Sequence, residues 1–449
     1  MTDHAVKGVA VELGGWGRHP LVEAELVAAR SARDVADLLD GGPLTPRGLG
    51  RSYGDSALGP RVVDLTALDA LVAFDEETGS LTCEAGVSLS EILTRFVPRG
   101  WFLPVTPGTR FVTVGGAVAS DVHGKNHHQD GTFCDHVTSL RLLVASGEVL
   151  EVSRTSHPEL FHATCGGMGL TGVILEVTFT LLKVSSRNVD ETLIKAPSLD
   201  AALEAFDEHY GATYSVGWID LLASGSSLGR SLVMVGEHAG DGDLGTAADG
   251  VAGMLATMPM DLPSGMLNRF TVKAFNTLYY QRVRKPLTVH TIGYEPFFYP
   301  LDKVGDWNRV YGRLGFLQYQ FAMPFGTGGA GKAALREVIG RIAAAGLASP
   351  LAVLKLFGPA NDNHLSFPTS GYTLALDFQA NERAFALCDE LDRLVLEAGG
   401  RLYLTKDARM SRETFEAGYP RLAEFEAVRA QYGAAGVFVS TQSRRLGLA

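Results

Sequence analysis

Three glycine-rich segments supply the residue types best suited to holding a charged ligand. They cover residues 47–54, 107–116 and 166–172, and the first carries three glycines beside two arginines. Glycines let backbone N–H groups turn toward an anion with no Cβ in the way, and such nests hold pyrophosphate. A tight turn between strands explains any one segment alone, whereas the three together indicate a nucleotide-type ligand. No Gly-Lys-Ser/Thr string is present, which excludes a P-loop, and no helical pattern follows Gly54 as a Rossmann site requires.

Two further features have the chemistry of a site. Residues 123–128 read His-Gly-Lys-Asn-His-His, and three histidines this close invite a zinc interpretation. We predict no metal, because no carboxylate or cysteine follows at a sensible spacing; His127 and His128 are expected to bond loop carbonyls. Lys406 follows a predicted strand, where most lysines are simply solvated.

The order of these segments resembles the vanillyl-alcohol-oxidase family, whose FAD-binding domain is of the PCMH type. The string at 123–128 is the most specific mark, and the resemblance extends over the whole chain. Within the family, the chain is similar to enzymes that oxidise a ribofuranose carried on a polyprenyl phosphate. The segments that carry this likeness in the C-terminal half are 307–309, 316–321, 355–359, 365–368 and 401–409.

The resemblance implies FAD, with its pyrophosphate wrapped by the first two glycine loops and its adenosine end approached by the third. Many relatives tether the flavin through a His or Cys in the first loop; residues 47–54 contain neither, so non-covalent FAD is expected. The residues predicted to bind the cofactor are Gly48, Gly50, Arg51, Ser52, Tyr53, Gly54, Pro107, Gly108, Thr109, Thr113, Gly115, Gly116, His123, Gly124, Asn126, Gly169, Gly172, Ile174 and Lys406.

The same resemblance assigns roles in the reaction. Lys406 would stabilise the negative charge that hydride transfer leaves at the pyrimidine edge of the flavin. His123 and Gln320 would lie near the flavin and the substrate, with Tyr53 as a wall residue. The substrate pocket would be lined by Gln318, Gln320, Lys355 and Phe357, with Lys355 available to a phosphate. Ala375 stands where mycobacterial relatives have a cysteine, which alters the pocket shape but not the chemistry.

The implied activity is oxidation of the C2 hydroxyl of a phosphorylated or polyprenylphosphoryl ribofuranose to a 2-keto sugar. A short-chain dehydrogenase/reductase partner would then complete a 2′-epimerisation in cell-wall arabinan precursor synthesis. Two alternatives stay open: an oxidase or dehydrogenase of a free aldose or alditol, and a flavin-binding scaffold without turnover. Residues 250–300, left without an assigned structure, are either a lid over a lipid-linked substrate or a surface helix.

Composition agrees with a cytoplasmic enzyme. The 449 residues carry a net charge of −11, which argues against a nucleic-acid partner. Residues 1–7 show no signal-peptide pattern, and no apolar run is long enough to span a membrane, so any membrane association would be peripheral. Four scattered cysteines indicate buried, reduced thiols.

The elements that must position these residues predict an α+β fold. Short apolar runs between glycines indicate strands up to about residue 184, including a hairpin at 140–152. From 316 to 405 the pattern reads β-α-β-β-α-β, a split βαβ unit on an antiparallel sheet flanked by helices. We predict a FAD-binding domain made of residues 1–187 and 401–449, with residues 188–400 inserted as the substrate-binding domain.

Overall fold

The structure is a computed structural model that describes residues 8–246, 256–263, 265–347 and 349–449. Residues 1–7, on which the absence of a signal peptide was judged, lie outside these ranges. So do residues 250–255 and 264 of the segment that the sequence left unassigned.

The glycine-rich first part folds into two main sheets. A four-stranded sheet has the spatial order Val9–Gly14, Leu21–Ala28, Arg61–Asp64, Thr45–Arg47, and its last two pairings are parallel. An antiparallel sheet has the order Leu71–Phe74, Ser80–Glu84, Val173–Thr180, Val137–Leu143, Val149–Ser153. The strands Trp101–Phe102 and Leu182–Lys183 pair separately. The hairpin predicted at 140–152 is confirmed, with Leu140 opposite Val152.

Five helices connect these strands, and their first residues follow capping chemistry. Ser88 accepts a hydrogen bond from the amide of Glu91 at the start of one helix, and Thr113 caps the next helix by accepting from Gly116. Leu89, Ile92, Leu93 and Phe96 form the buried face of the Ser88-capped helix. The helices are Ala32–Asp37, Leu89–Phe96, Val114–Ala119, His127–Asp130 and Pro158–Thr164.

Eight antiparallel strands form the large sheet of the second part. Their spatial order is Leu287–Gly293, Asn188–Ala196, Ser231–His238, Tyr214–Ile219, Ala352–Phe357, Gly371–Gln379, Phe316–Pro324 and Arg401–Leu402. Because side chains alternate along a strand, Val216 and Trp218 face one side while Gly217 lies against Phe206 of a covering helix. The helices of this part are Leu199–Glu208, Arg269–Gln281, Tyr294–Phe298, Ala330–Ala345 and Glu382–Glu397.

The β-α-β-β-α-β order predicted for residues 316–405 is confirmed, and so is the α+β class. One boundary differs. The last strand was predicted to reach residue 405, but it ends at Leu402 and the chain turns through a 3-10 helix, Leu404–Lys406. That turn brings Lys406 out of the plane of the sheet. Among the described residues, the remaining short elements are the 3-10 helices Leu39–Gly41, Val97–Arg99, Phe133–His136, Gly225–Ser227, Pro300–Lys303 and Trp307–Tyr311 and the strands Ala256–Thr257 and Val304–Gly305.

The C-terminal residues form three helices, Arg412–Gly418, Leu422–Gln431 and Thr441–Arg445. They pack back on the first part, as predicted: the Arg445 guanidinium lies 2.8 Å from the Asp55 carboxylate, and Leu44 bridges to Phe438. All four cysteines are buried and unbonded. Within the described ranges, no helix is both long and apolar enough to cross a membrane.

Candidate functional site

A single cavity of about 1620 Å³ lies where the glycine loops meet the open face of the eight-stranded sheet. A typical small-molecule pocket measures roughly 300–1,000 Å³, so this cavity has room for a large cofactor and a substrate together. The residues predicted from sequence that line it are Gly48, Gly50, Arg51, Ser52, Tyr53, Pro107, Gly108, Thr109, Thr113, Gly115, Gly116, His123, Gly124, Gly169, Gly172, Ile174, Gln318, Gln320, Lys355 and Lys406.

Three predicted residues lie behind the cavity wall instead. A Cβ at Gly54 would overlap the carbonyl of Asp407, so this glycine permits a close backbone contact. Asn126 donates to the Pro104 carbonyl and to Asp130, both at 2.8 Å, and so fixes the loop that carries His123. Phe357 is buried with its ring edge-on to His123 at 4.8 Å. None of these three residues lines the cavity, so none is positioned to contact a ligand there.

The first glycine loop presents a row of backbone donors. Among the described residues, the amides of 48–52 have no hydrogen-bond acceptor, and the buried Ser52 hydroxyl has no partner either. Gly50 has φ +64°, a conformation that favours glycine. Arg51 is held over the Trp16 ring at 4.1 Å, and its Nε donates to the Phe111 carbonyl. Orphaned amides beside a fixed guanidinium suit a pyrophosphate, so this loop fits the cofactor implied by the sequence.

The second glycine loop works differently. The amides of Val114 and Gly115 donate to carbonyls of residues 87 and 85, each at 2.8 Å, and Gly116 donates to the Thr113 hydroxyl at 3.1 Å. These donors are already used within the protein. A Cβ at Gly115 would come within 2.8 Å of that of Ala85, so the glycine allows the helix to lie against a strand. Only Gly108 faces open space in this loop.

The third glycine loop turns tightly beside the first. Gly166, Met168 and Gly169 have φ values of +78°, +53° and +73°, and a Cβ at Gly172 would come within 2.7 Å of the Leu143 carbonyl. This turn brings Gly169, Gly172 and Ile174 to the cavity at one end of the antiparallel sheet.

His123 and Gln320 form the centre of the site. The side-chain nitrogen of Gln320 lies 3.0 Å from His123 Nε2 and 3.2 Å from the Thr373 hydroxyl. Thr373 donates its own proton to the Phe321 carbonyl, so it must accept from Gln320. Gln320 then donates to His123 Nε2 and leaves the imidazole proton on Nδ1, which has no partner. Burial, together with the nearby Lys355 charge, holds the pKa of His123 well below its usual value, so the ring is neutral.

The neighbouring histidines are structural. His128 Nε2 bonds the Ala212 carbonyl at 2.9 Å, as predicted. The prediction for His127 was wrong in its partner, because its Nδ1 accepts from the amide of Gly358 at 3.1 Å. Burial lowers the pKa of His127 to about 3, which keeps it a neutral acceptor.

Lys406 lies 4.4 Å from the centre of the Tyr53 ring. Burial lowers the pKa of Lys406 to about 7; the Asp377 carboxylate opposes this shift and the Lys355 ammonium adds to it. Among the described residues the Lys406 ammonium has no hydrogen-bond partner and no ion pair. An ammonium held this way is available to a developing negative charge in the cavity.

Asp377 is a charged group that the sequence analysis did not single out. It is fully buried and accepts hydrogen bonds from Gln318 Nε2 at 2.6 Å and from the Tyr311 hydroxyl at 2.8 Å. Burial raises the pKa of Asp377 to about 6, while these two donors and Lys406 oppose the shift. The signal was present, since one aspartate interrupts the apolar strand Gly371–Gln379.

Comparisons with known proteins agree with this geometry. Residues 24–153 match the model of a family described as an FAD binding domain. The chain is 39% identical over 457 residues to decaprenylphosphoryl-β-D-ribose oxidase of Mycolicibacterium smegmatis, covering 97% of both chains. It is 34% identical to an uncharacterised protein of Streptomyces coelicolor, over 81% of this chain and 100% of that one. L-gulonolactone oxidase of Bos taurus is 31% identical over 33% of each chain.

Proposed function

Because the chain belongs to the family of FAD-dependent oxidoreductases that includes decaprenylphosphoryl-β-D-ribose oxidase, we propose that it oxidises the C2 hydroxyl of a polyprenylphosphoryl ribofuranose. The product is the 2-keto sugar, and the reaction is the first half of a 2′-epimerisation that supplies cell-wall arabinan precursors. The relative that carries this proposal is similar over both the glycine loops and the eight-stranded sheet, whereas the gulonolactone oxidase is similar over only a third of the chain.

FAD, when bound, supplies the acceptor for the hydride that leaves the carbinol carbon. Residues of the chain bind the cofactor, stabilise charge and orient the substrate. The amides of 48–52 and Arg51 bind the pyrophosphate, and Tyr53 forms the wall beside Lys406. Lys406 provides the positive charge at the cofactor's pyrimidine edge. His123 and Gln320 orient the sugar, and Gln318 and Lys355 complete the substrate pocket.

The observation that best supports this proposed function is that one cavity contains both the expected cofactor-binding residues and the expected substrate-binding residues. Lys406 and the first glycine loop line the same cavity as Gln318, Gln320 and Lys355, which stand on the large sheet. A ligand on the sheet side therefore lies in the same cavity as the groups expected to hold the cofactor. Fixed positioning of this kind accounts for much of the rate of such enzymes.

We propose that the polyprenyl tail lies along the apolar wall of the cavity. Trp218 and Tyr279 lie with ring centroids 4.7 Å apart, and Phe275 stacks on Tyr279 at 5.9 Å. Residues 275 and 279 belong to the helix Arg269–Gln281, which covers the cavity side of the sheet. This helix falls in the segment that the sequence left unassigned, and it serves as the lid over the tail in our proposal.

The same segment supports peripheral contact with a membrane. In the described part, seven of the fourteen most exposed large apolar side chains lie between residues 260 and 289, with Phe270 at 83% and Leu278 at 73% exposure. Residues 262–294 contain five Lys or Arg and no Asp or Glu, in a chain of net charge −11. Apolar side chains beside basic ones are typical of a surface that rests on anionic lipids. We therefore place the enzyme in the cytoplasm, at the membrane surface where its lipid-linked substrate resides.

A 2-keto sugar needs reduction to complete the epimerisation, so we propose a short-chain dehydrogenase/reductase as the partner enzyme. This is a functional partner, defined by consumption of the ketone. A coupled assay that follows arabino product from the ribo substrate tests it, with each enzyme alone as the control.

The decisive experiment is anaerobic reduction of the bound flavin, followed by loss of its visible absorbance. A polyprenylphosphoryl ribofuranose should bleach the flavin fastest, a short-chain analogue more slowly, and ribose or xylitol least. Remote binding energy orients the reacting carbon, so truncated substrates lose rate as well as affinity. Equal rates with xylitol would favour the aldose or alditol oxidase reading, and no bleaching by any sugar would favour a scaffold without turnover.

A further inference from the structure

Of the four lysines that line the cavity, the three beside the large sheet are short of counter-charges. They are Lys406, Lys355 and Lys125. Within the part of the chain that is described, none of them forms an ion pair, and the only hydrogen bond made by their three ammonium groups is from Lys125 to the Phe297 carbonyl. An ammonium has three donors, so most of this donor capacity faces the cavity unused.

The strand order of the large sheet sets the order of these lysines along the cavity. Lys355 lies on Ala352–Phe357, and Lys406 follows Arg401–Leu402 at the end of the sheet. On the other side of Lys355 is the strand Tyr214–Ile219, where the Ser215 amide bonds the Lys125 carbonyl and Trp218 contacts Tyr279 of the covering helix. The row therefore runs from the cofactor side, past the middle of the sheet, toward the helix Arg269–Gln281.

The surroundings of Lys125 hold its ammonium in place. Its Nζ lies 4.3 Å from the centre of the Phe297 ring and 5.8 Å from that of Phe298. Its carbonyl accepts from the amide of Ser215 at 3.0 Å, which ties the loop to the large sheet. Glu191 is the acid whose charge acts on Lys125, and its carboxylate lies 2.9 Å from Nε2 of His290. Lys125 is thus held in place by a hydrogen bond and two aromatic rings, with no ion-pair partner among the described residues.

We propose that Lys125 and Lys355 form an anion-binding subsite that holds the phosphodiester of the substrate, which makes Lys125 a specificity-determining residue. This inference rests on the proposed function. The order of groups along the cavity matches the order of groups in such a ligand: sugar beside His123, phosphate between the two lysines, and tail against Trp218 and Tyr279.

The proton balance of the lysines agrees with this arrangement. Burial lowers the pKa of Lys125 to about 7, with Glu191 opposing the shift and Lys355 adding to it, and burial lowers the pKa of Lys355 to about 8. A nearby negative charge therefore stabilises the protonated form of both lysines. In the proposed subsite, a phosphodiester bound between Lys125 and Lys355 supplies that charge.

The test compares two ligands that differ by the phosphate group: farnesyl phosphoryl-β-D-ribofuranose and the neutral farnesyl β-D-ribofuranoside. The half-saturating concentration of each is measured by anaerobic flavin reduction. Lys125→Met should raise this concentration roughly 10- to 100-fold for the phosphodiester and leave that for the neutral riboside within about threefold. Lys125→Arg should retain the preference for the phosphodiester. Lys303→Met, at another lysine that lines the cavity, is the matched control and should change neither.

Equal weakening of both ligands in Lys125→Met would make Lys125 a purely structural clamp on Phe297 and overturn the proposal. Should that variant fail to retain FAD, Lys355→Met gives a second measurement. It should raise the half-saturating concentration of the phosphodiester roughly 10-fold and leave that of the neutral riboside within about threefold; equal weakening of both ligands would contradict the subsite. If the wild-type protein itself prefers the neutral riboside or xylitol, the proposed function fails, which is a separate outcome.

Discussion

The side-chain nitrogen of Gln320 lies 3.0 Å from Nε2 of His123, although the two residues are 197 positions apart in the chain. Gln320 stands on the large sheet and His123 on the loop that follows the second glycine segment. The contact therefore joins the two parts of the fold at the centre of the cavity. It also fixes the tautomer of a buried neutral imidazole.

Gln320→Leu should reduce turnover roughly 10- to 100-fold, because it leaves His123 Nε2 buried without its donor and free to exchange tautomers. The FAD content should stay near that of the wild type. Anaerobic single-turnover reduction measures the loss separately from product release. Gln129→Leu, at an exposed glutamine that bonds the Tyr210 carbonyl, is the control and should turn over normally.

Lys406→Ala should keep the fold and much of the FAD but lose about 100- to 1000-fold in turnover, the usual effect of removing one group that stabilises transition-state charge. Steady-state kcat and the ratio of flavin to protein absorbance test the two halves of this expectation. Normal turnover in the variant would return Lys406 to the role of an ordinary lysine at the end of a strand.

Asp377→Asn should move the alkaline limb of the pH–rate profile to lower pH. The Asp377 carboxylate raises the pKa of Lys406, so its loss lets burial lower that pKa further below its usual value. Activity that needs the protonated lysine is complete below this pKa and is lost as the pH rises through it. The profile of kcat between pH 5 and 9 is the measurement.

The matched control for this variant is Asp392→Asn. Asp392 is also a buried aspartate that accepts from a tyrosine hydroxyl, that of Tyr319 at 3.0 Å, but it pairs with Arg409 rather than with a cavity lysine. It should lower thermal stability and leave the alkaline limb in place. A shift of the limb in both variants would point to a general structural effect.

Acid or heat should release all of the flavin as free FAD. No His or Cys occurs at 47–54, and the cavity is lined by no cysteine among the described residues. Yellow colour that stays with the precipitated polypeptide would contradict the expectation of non-covalent binding.

Gly50→Ala should lower FAD affinity, because a Cβ there would overlap the Arg47 guanidinium and because φ is +64°. Gly340→Ala offers the opposite case in the helix Ala330–Ala345, where the added Cβ meets nothing within 4 Å. That variant should keep its FAD and gain about 0.5–1 kcal/mol in the free energy of unfolding. Thermal melts with and without added FAD distinguish the two effects.

The sequence by itself determined the local elements and the chemical type of the site. Ser88 caps its helix by local chemistry that the sequence records, and the apolar rhythm from 316 to 402 reproduces the observed order of strands and helices. These features depend on contacts within a few residues, which a pattern records directly. The glycine loops and the string at 123–128 likewise carried the family resemblance, and with it FAD.

Only the tertiary structure decided which groups meet. Asp377 interrupts an apolar strand and Lys125 belongs to the string at 123–128, but the sequence does not assign their roles, because these come from burial and from charges contributed by distant strands. Gly115 and Gly54 are likewise in close contact with distant parts of the chain, Ala85 and the Asp407 carbonyl. These glycines therefore allow close packing rather than anion binding. Long-range proximity is set by how the sheets and loops pack, and spacing along the chain does not encode it.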